Sequence, residues 1–219
     1  YACYEHCKST TISNQNQNSL FVDPSLMLAI DRLLGNKKEL SSHDAMIHLL
    51  ESSNNGNSIS SYLIGILYEN GNGVKQDFQK AAKYFEGNSY GTNRIGYCYS
   101  QGFGVNVDKK KALEYYYKGE KLNNPLSISN IGTFYAIGEY LPKNITKSIE
   151  YYLKSAENGF PYFYYYISQM YYSGSDVKQD LQKVIEYLHK AADKGVIQAY
   201  TDLGYHYAKG IGCKQDYFK

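Results

Sequence analysis

A single pattern recurs along most of the chain at an almost constant interval. Five matching segments start 31, 36, 36 and 36 residues apart. They are IGILYENGNGVKQD (64–77), IGYCYSQGFGVNVD (95–108), IGTFYAIGEYLPKN (131–144), ISQMYYSGSDVKQD (167–180) and LGYHYAKGIGCKQD (203–216). Intervals of roughly 20–50 residues are the signature of repeat architectures, in which each unit buries its apolar face against its neighbours. The chain is therefore predicted to fold as a stack of similar units.

The period divides residues 21–219 into one repeat domain. Counting back from the first segment predicts an additional, degenerate unit, and the last unit stops inside its second helix. The predicted units are 22–57, 58–88, 89–124, 125–160, 161–196 and a partial 197–219. The shorter first interval indicates that unit 58–88 has lost about five residues between its helices. Residues 1–20 lie outside the period and are polar and amide-rich, so we expect a disordered linker or the tail of a preceding region.

Each unit reads as a helix, a tight loop and a second helix. An apolar residue precedes a mid-helix glycine, and a tyrosine follows three residues later, so the two lie on one buried face of the first helix. A second glycine ends that helix. Short acceptors then cap the second helix. The recurring tyrosines are Tyr68, Tyr99, Tyr135, Tyr171 and Tyr207, and the capping residues are Asp77, Asp108, Asn144, Asp180 and Asp216.

The glycine in the middle of the first helix defines what we call the mid-helix slot. Gly65, Gly96, Gly132 and Gly204 occupy this slot, and Ser168 replaces glycine in unit 161–196. Glycine costs roughly 1 kcal/mol of helix propensity relative to alanine, so its recurrence needs a packing reason. We predict that the backbone of a neighbouring helix approaches closely at this slot.

The pattern A-x-x-x-L-G-x-x-Y-x-x-G-x-G-V-x-x-D-x-x-K-A, followed by Y-Y-x-K-A-A-x-x-G, resembles the Sel-one-like repeat, a relative of the tetratricopeptide repeat. The best match is Ala199–Gly212, and the resemblance covers about residues 22–219. It implies an all-α fold, a right-handed superhelix (solenoid) of helix-turn-helix units. It also implies a scaffold for protein complexes, including membrane-protein degradation complexes and signalling complexes.

Composition argues against nucleic-acid binding and membrane insertion, and the cysteines bear on the cellular compartment. The net charge is +2, and the only arginines are Arg32 and Arg94, so no basic stripe indicates nucleic-acid binding. No apolar run reaches about 18 residues, so we expect no membrane insertion. Cys98 and Cys213 occupy apolar slots and are predicted to be buried free thiols. Because reduced thiols favour an intracellular compartment, we expect a cytoplasmic location, and a lumenal one stays open.

No spacing predicts a catalytic centre, a cofactor or a resident metal ion. The glycines at 71–73 and 102–104 do not follow strands, so they are interpreted as repeat loops and not as phosphate-binding loops. Cys3, His6 and Cys7 form half of a zinc site or belong to a disordered tail. Asn144 begins a glycosylation sequon, but it also stands in the capping slot. The chain is therefore predicted not to be an enzyme.

Tyrosine is the unusual residue, with 26 copies and no tryptophan in 219 residues. By analogy with tetratricopeptide proteins, the first helices line a concave face. Their non-core slots carry few charges and many tyrosines, a side chain enriched in interaction hot spots. We predict that this face holds an extended or helical peptide of a protein partner. Alternatively, these tyrosines pack against the second helices or reflect biased composition. The predicted partner-binding residues are Tyr62, Ile66, Arg94, Tyr97, Asn130, Thr133, Tyr165, Gln169 and Tyr205.

These observations favour a non-catalytic scaffold or adaptor. A second interpretation is a regulatory repeat module of a larger protein, for example beside a kinase domain, as the resemblance allows. A third is a hydrolase, as claimed for some disulfide-bearing bacterial relatives, although this chain lacks their cysteine pairs. The sequence does not predict an oligomeric state.

Overall fold

The computed structural model describes residues 42–216, which contain ten α-helices and no strand. In chain order they are α1 (Ser42–Asn54), α2 (Ser58–Asn70), α3 (Phe78–Phe85), α4 (Ser89–Gln101), α5 (Lys109–Lys121), α6 (Pro125–Ile137), α7 (Ile145–Glu157), α8 (Tyr162–Ser173), α9 (Leu181–Asp193) and α10 (Ile197–Lys209). The predicted linker at 1–20 and the Cys3–Cys7 cluster lie outside the described residues. None of the described helices is long and apolar enough to cross a membrane.

The chain divides into two compact bodies, one ending at Ser60 and the other beginning at Ser61. In the first body, α1 buries Ala45, Met46 and Leu49. There the hydroxyl oxygens of Ser52 and Ser60 are hydrogen-bonded at 2.6 Å. The second body contains the repeated helices, in which α4, α6, α8 and α10 are first helices and α3, α5, α7 and α9 are second helices. Most of α2, the first helix of unit 58–88, also belongs to it.

The loop between the two helices of a unit is closed by the capping residue. At Asn144, the side-chain oxygen accepts a hydrogen bond from the Lys147 backbone N–H at 3.0 Å. The backbone N–H of Asn144 donates to the carbonyl of Tyr135 at 2.8 Å. Asp77, Asp108 and Asp180 make the same two kinds of contact. The cap prediction is confirmed at these four positions, and capping accounts for the side-chain oxygen of Asn144.

The short interval in unit 58–88 arises within its second helix. Helix α3 has 8 residues, whereas α5, α7 and α9 have 13 each. The prediction that the residues were lost between the helices is wrong, because the mid-helix slot and the cap stay 12 residues apart in every unit. Helix α4 consequently starts against the end of α3. A Cβ atom on Gly91 would lie 2.7 Å from the Cα of Phe85, so only glycine fits this approach.

In three units the mid-helix slot is filled by an aromatic ring of the second helix. A Cβ atom on Gly96 would lie 2.7 Å from the ring of Tyr116, and one on Gly132 would lie 3.0 Å from the ring of Tyr152. Phe85 occupies the same place against Gly65. The predicted approach of a neighbouring backbone is therefore wrong as the main cause, because the nearest atoms belong to side chains.

A second set of tyrosines forms a stack in each of four units. The recurring tyrosine of the first helix stacks on a tyrosine of the second helix, as Tyr99 does on Tyr115 at 5.8 Å between ring centroids. The Nζ of Lys111 lies 5.3 Å from the centroid of the Tyr99 ring, which adds a cation–π contact. The equivalent tyrosine pairs are Tyr68–Tyr84, Tyr135–Tyr151 and Tyr171–Tyr187. These tyrosines build the framework of the repeat.

Candidate partner-binding face

The nine predicted partner-binding residues all lie on first helices, but only two of them are well exposed. The exposed fractions of Tyr97 and Tyr205 are 39% and 52%. The other seven side chains are partly buried.

Three of the seven join consecutive first helices through polar contacts. Arg94 of α4 donates through Nε to both carboxylate oxygens of Glu69 on α2, at 2.9 and 2.8 Å. Asn130 of α6 donates to the side-chain oxygen of Asn93 on α4 at 2.9 Å. Gln169 of α8 donates to the carboxylate of Asp202 on α10 at 2.9 Å. These contacts hold neighbouring units in register.

The remaining four residues contribute to packing within the fold. Tyr62 lies with its ring centroid 5.6 Å from that of Phe85, and Ile66 packs against the same cluster. Tyr165 packs against the buried cluster of α9 and α10. Thr133 is hydrogen-bonded to the hydroxyl of Tyr152 at 3.2 Å. Their part in partner binding stays a prediction.

Glu69 is the centre of a buried polar cluster. Its exposed fraction is 5%, and the thiol of Cys98 donates to it at 3.3 Å. Burial, with a further contribution from the Glu69 carboxylate, raises the pKa of Cys98 to about 12. Burial alone would lower the pKa of Arg94, but its hydrogen bond to Glu69 raises the pKa above the ordinary value. Cys98 is therefore a protonated thiol and a poor nucleophile.

We expect the Cys98 thiol to react with Ellman's reagent only when the protein unfolds. A pKa of about 12 instead of 9.0 reduces the thiolate population near pH 8 about a thousandfold. The variant C3S/C7S/C213S retains Cys98 alone, and C3S/C7S/C98S is the matched control because Cys213 is only partly buried. Equal labelling rates of the two folded variants would contradict the expected protection. The predicted free thiols are both present, but Cys213 is less buried than predicted.

Four exposed side chains lie on consecutive first helices and form what we call the first-helix stripe. They are Tyr97 of α4, Ile137 of α6, Tyr172 of α8 and Tyr205 of α10, with exposed fractions of 39%, 65%, 41% and 52%. They stand one, five, four and one residues after the mid-helix slot. Each residue turns about 100° around the helix axis, so these positions lie about 100°, 140°, 40° and 100° from the mid-helix slot. All four therefore fall within an arc of about 100°, on the same side of each helix. The stripe therefore presents one large apolar group from each of four successive units.

Aromatic neighbours extend the stripe at both ends. The ring of Phe103 lies 5.7 Å from that of Tyr97. The ring of His206 lies 5.6 Å from Tyr172 and 6.0 Å from Tyr205. His206 is itself buried, with Nδ1 2.9 Å from the carbonyl oxygen of Ile211.

Sequence reasoning identified Tyr97 and Tyr205 but missed Ile137 and Tyr172. It considered slots close to the mid-helix glycine, whereas the missed residues lie one turn later in their helices. A helical wheel extended to the C-terminal glycine of each helix would have placed all four residues together.

Residues 42–216 show no cluster of three or more histidine, cysteine, aspartate or glutamate side chains suited to a metal ion. An open cleft of about 260 Å³ lies between α5, α6 and α7. Its charged lining includes the ion pair of Lys154 with Glu120 at 2.7 Å. The cleft therefore presents paired charges and framework tyrosines.

The Sel1 repeat model matches residues 58–86, 89–124, 125–160, 161–196 and 197–219. The chain belongs to the Sel1 repeat family. Members of this family are typically scaffolds for protein–protein interactions and are generally non-catalytic. The resemblance to Sel-one-like repeats is thereby confirmed for residues 58–219, and the additional unit at 22–57 stays a prediction.

Solved structures show the same fold. A protective antigen of uropathogenic Escherichia coli, which displays an SLR fold, is 24% identical with a TM-score of 0.71, over 97% of this chain and 45% of that one. A Sel1 repeat protein of Oxalobacter formigenes is 23% identical with a TM-score of 0.70, over 88% and 81%. This chain thus spans less than half the length of the E. coli protein. A search of curated proteins finds no match. The predicted all-α helical-repeat solenoid is confirmed.

Proposed function

We propose that this Sel1 repeat protein is a non-catalytic adaptor that binds a protein partner along its first-helix face. The observation that carries the proposal is the first-helix stripe. Eight tyrosines of the repeat are used in stacking within a unit, whereas the stripe exposes its large side chains to solvent in four successive units.

The chemistry of the stripe suits a protein interface. Tyrosine offers a large apolar area and a hydroxyl group at low cost in side-chain entropy, and it is enriched in interaction hot spots. Among the described residues, the hydroxyl groups of Tyr97, Tyr172 and Tyr205 have no hydrogen-bond partner. A partner can therefore bury the rings and supply acceptors to these groups.

The test is selection of random 12-residue peptides displayed on phage against the full chain, followed by measurement of Kd by fluorescence anisotropy. The stripe variant Y97S/Y172S/Y205S is expected to bind the selected peptides at least tenfold more weakly than the unmodified chain. Loss of one hot-spot residue costs more than about 1 kcal/mol, and a tenfold change corresponds to about 1.4 kcal/mol. Tyr165 is left unchanged because its partial burial would mix binding with stability.

The control variant is Y140S/Y162S/Y200S, which removes three exposed tyrosines outside the stripe. We expect it to keep the affinity, and both variants should keep the far-ultraviolet circular dichroism of the unmodified chain. If the selected peptides bind the stripe variant as well as the unmodified chain, the proposed face is wrong.

A further inference from the structure

We propose that an open face of α10 binds one amphipathic helix of a partner protein, which places an aromatic ring over Gly204. This inference concerns a different surface from the first-helix stripe and goes beyond the proposed function. It is carried by a comparison of equivalent positions, because the slot that Gly204 occupies is filled in three other units.

The mid-helix slot of α10 is open. Gly65, Gly96 and Gly132 are buried, and a Cβ atom on each would lie within 3.0 Å of an aromatic ring of the second helix. Gly204 is exposed. Apart from its own helix backbone and its two chain neighbours, no atom of residues 42–216 lies within 4 Å of a Cβ atom placed there. The last slot therefore has glycine without the ring that requires it elsewhere.

Neighbouring positions on the same side of α10 are also exposed. Ile197 and Tyr200 stand seven and four residues before Gly204, so they lie within about 40° of it around the helix axis. Their exposed fractions are 77% and 57%. Ile128 stands at the position of Tyr200 in unit 125–160, and its exposed fraction is 0%. The side of a first helix that is covered in that unit is therefore open in α10.

The adjoining side of α10 fixes the helix to the fold. Leu203 and Tyr207 are buried in one apolar cluster with residues of α9. The loop that follows α10 is closed as in the other units, because the backbone N–H of Asp216 donates to the carbonyl of Tyr207 at 3.0 Å. A partner helix would therefore meet a surface that is already in place.

The filled units define the chemistry of the partner helix. On its covering side, each second helix has a small buried residue and, four positions later, a buried aromatic ring. These pairs are Ala81–Phe85, Ala112–Tyr116 and Ser148–Tyr152. Residues four apart lie on one side of a helix, so the small residue and the ring face the first helix together. The partner helix is expected to carry the same small–aromatic pair.

The test measures binding of a fluorescein-labelled peptide to the full chain of 219 residues by anisotropy. The probe has the sequence of residues 144–158, which contains α7, its capping residue and the pair Ser148–Tyr152. In the control peptide Tyr152 is replaced by alanine. We expect the control peptide to bind at least tenfold more weakly, because the ring supplies much of the apolar area that is buried over Gly204.

The variant Gly204→Leu connects this binding to the slot. Its side chain would occupy the space of the ring, so we expect at least a tenfold loss of affinity for the probe. The variant Y97S/Y172S, in the stripe on α4 and α8, should keep the affinity. Gly204→Leu should also keep the melting temperature of the chain, because leucine favours a helix and the slot is open among the described residues. Gly132→Leu should lower it by at least about 4 °C, because the ring of Tyr152 fills that slot.

The inference is supported if binding requires both Tyr152 of the probe and Gly204 of the chain. It is wrong if the probe fails to bind the full chain, or if it binds Gly204→Leu equally well. It is also wrong if Gly204→Leu melts as low as Gly132→Leu, because residues of the same chain would then fill the slot. None of these results decides the proposed function, which is tested with displayed peptides and stripe variants.

Discussion

The double substitution of Gly96→Ser and Tyr116→Leu is expected to lower the free energy of unfolding by less than the two single substitutions added together. Unit 161–196 carries this combination naturally, with Ser168 in the mid-helix slot and Leu188 at the position equivalent to Tyr116. Both residues of that unit are fully buried. In unit 89–124 the small Gly96 faces the large ring of Tyr116, whereas in unit 161–196 the larger Ser168 faces the smaller side chain of Leu188.

Each single substitution breaks this complementarity in a different way. Gly96→Ser places a Cβ atom 2.7 Å from the Tyr116 ring, and such overpacking costs about 1–3 kcal/mol. Tyr116→Leu leaves a cavity above Gly96 and removes contact with Phe134, for about 2–3 kcal/mol. We expect a coupling energy of about 1–2 kcal/mol from urea unfolding of the four proteins. If the losses of the two single substitutions simply add up in the double variant, the Tyr116 ring does not occupy the space that Gly96 leaves open.

We expect Arg94→Ala to lower the free energy of unfolding by about 3 kcal/mol. The substitution leaves the carboxylate of Glu69 buried without its counter-charge, and unpaired buried charges cost several kcal/mol. The value lies at the low end of that range because the Arg94 side chain is 34% exposed. Urea unfolding measures the difference.

Two further variants make this expectation specific to burial. Lys143→Ala removes an ion pair of similar length, 3.0 Å to Asp176, in which both side chains are exposed, so we expect a loss below about 1 kcal/mol. The double variant E69A/R94A removes both charges and should be more stable than R94A alone. If R94A is no more destabilised than K143A, the Glu69–Arg94 pair does not behave as a buried pair.

The helix boundaries were predictable because they depend on contacts between residues close in sequence. Asp108 caps α5 through the N–H of Lys111, three residues away, and Gly102 ends α4 with a positive φ of 79°. Both contacts form wherever the local pattern occurs. The position of the residues missing from unit 58–88 was predicted wrongly. An interval between repeats gives the number of missing residues but not their place in the unit.

The candidate site was predicted only in part, for the opposite reason. Arg94, Asn130 and Gln169 stand in non-core slots of their own helices, but each is bound by a residue 25–37 positions away on a neighbouring first helix. Periodicity marks a slot as non-core, but it does not show which side chains are engaged by the next unit. Tyr97 and Tyr205 remain exposed in equivalent slots because no such neighbour covers them.

The sequence by itself determined the repeated helix-turn-helix unit, its period, its capping residues and the solenoid fold. These features rest on local hydrogen bonds and on the helical spacing of apolar residues. Only the tertiary structure decided that aromatic rings fill the mid-helix slots of three units and which side chains remain exposed along the first helices. Those properties depend on packing between helices, where a residue's environment is set by side chains a whole helix or a whole repeat away.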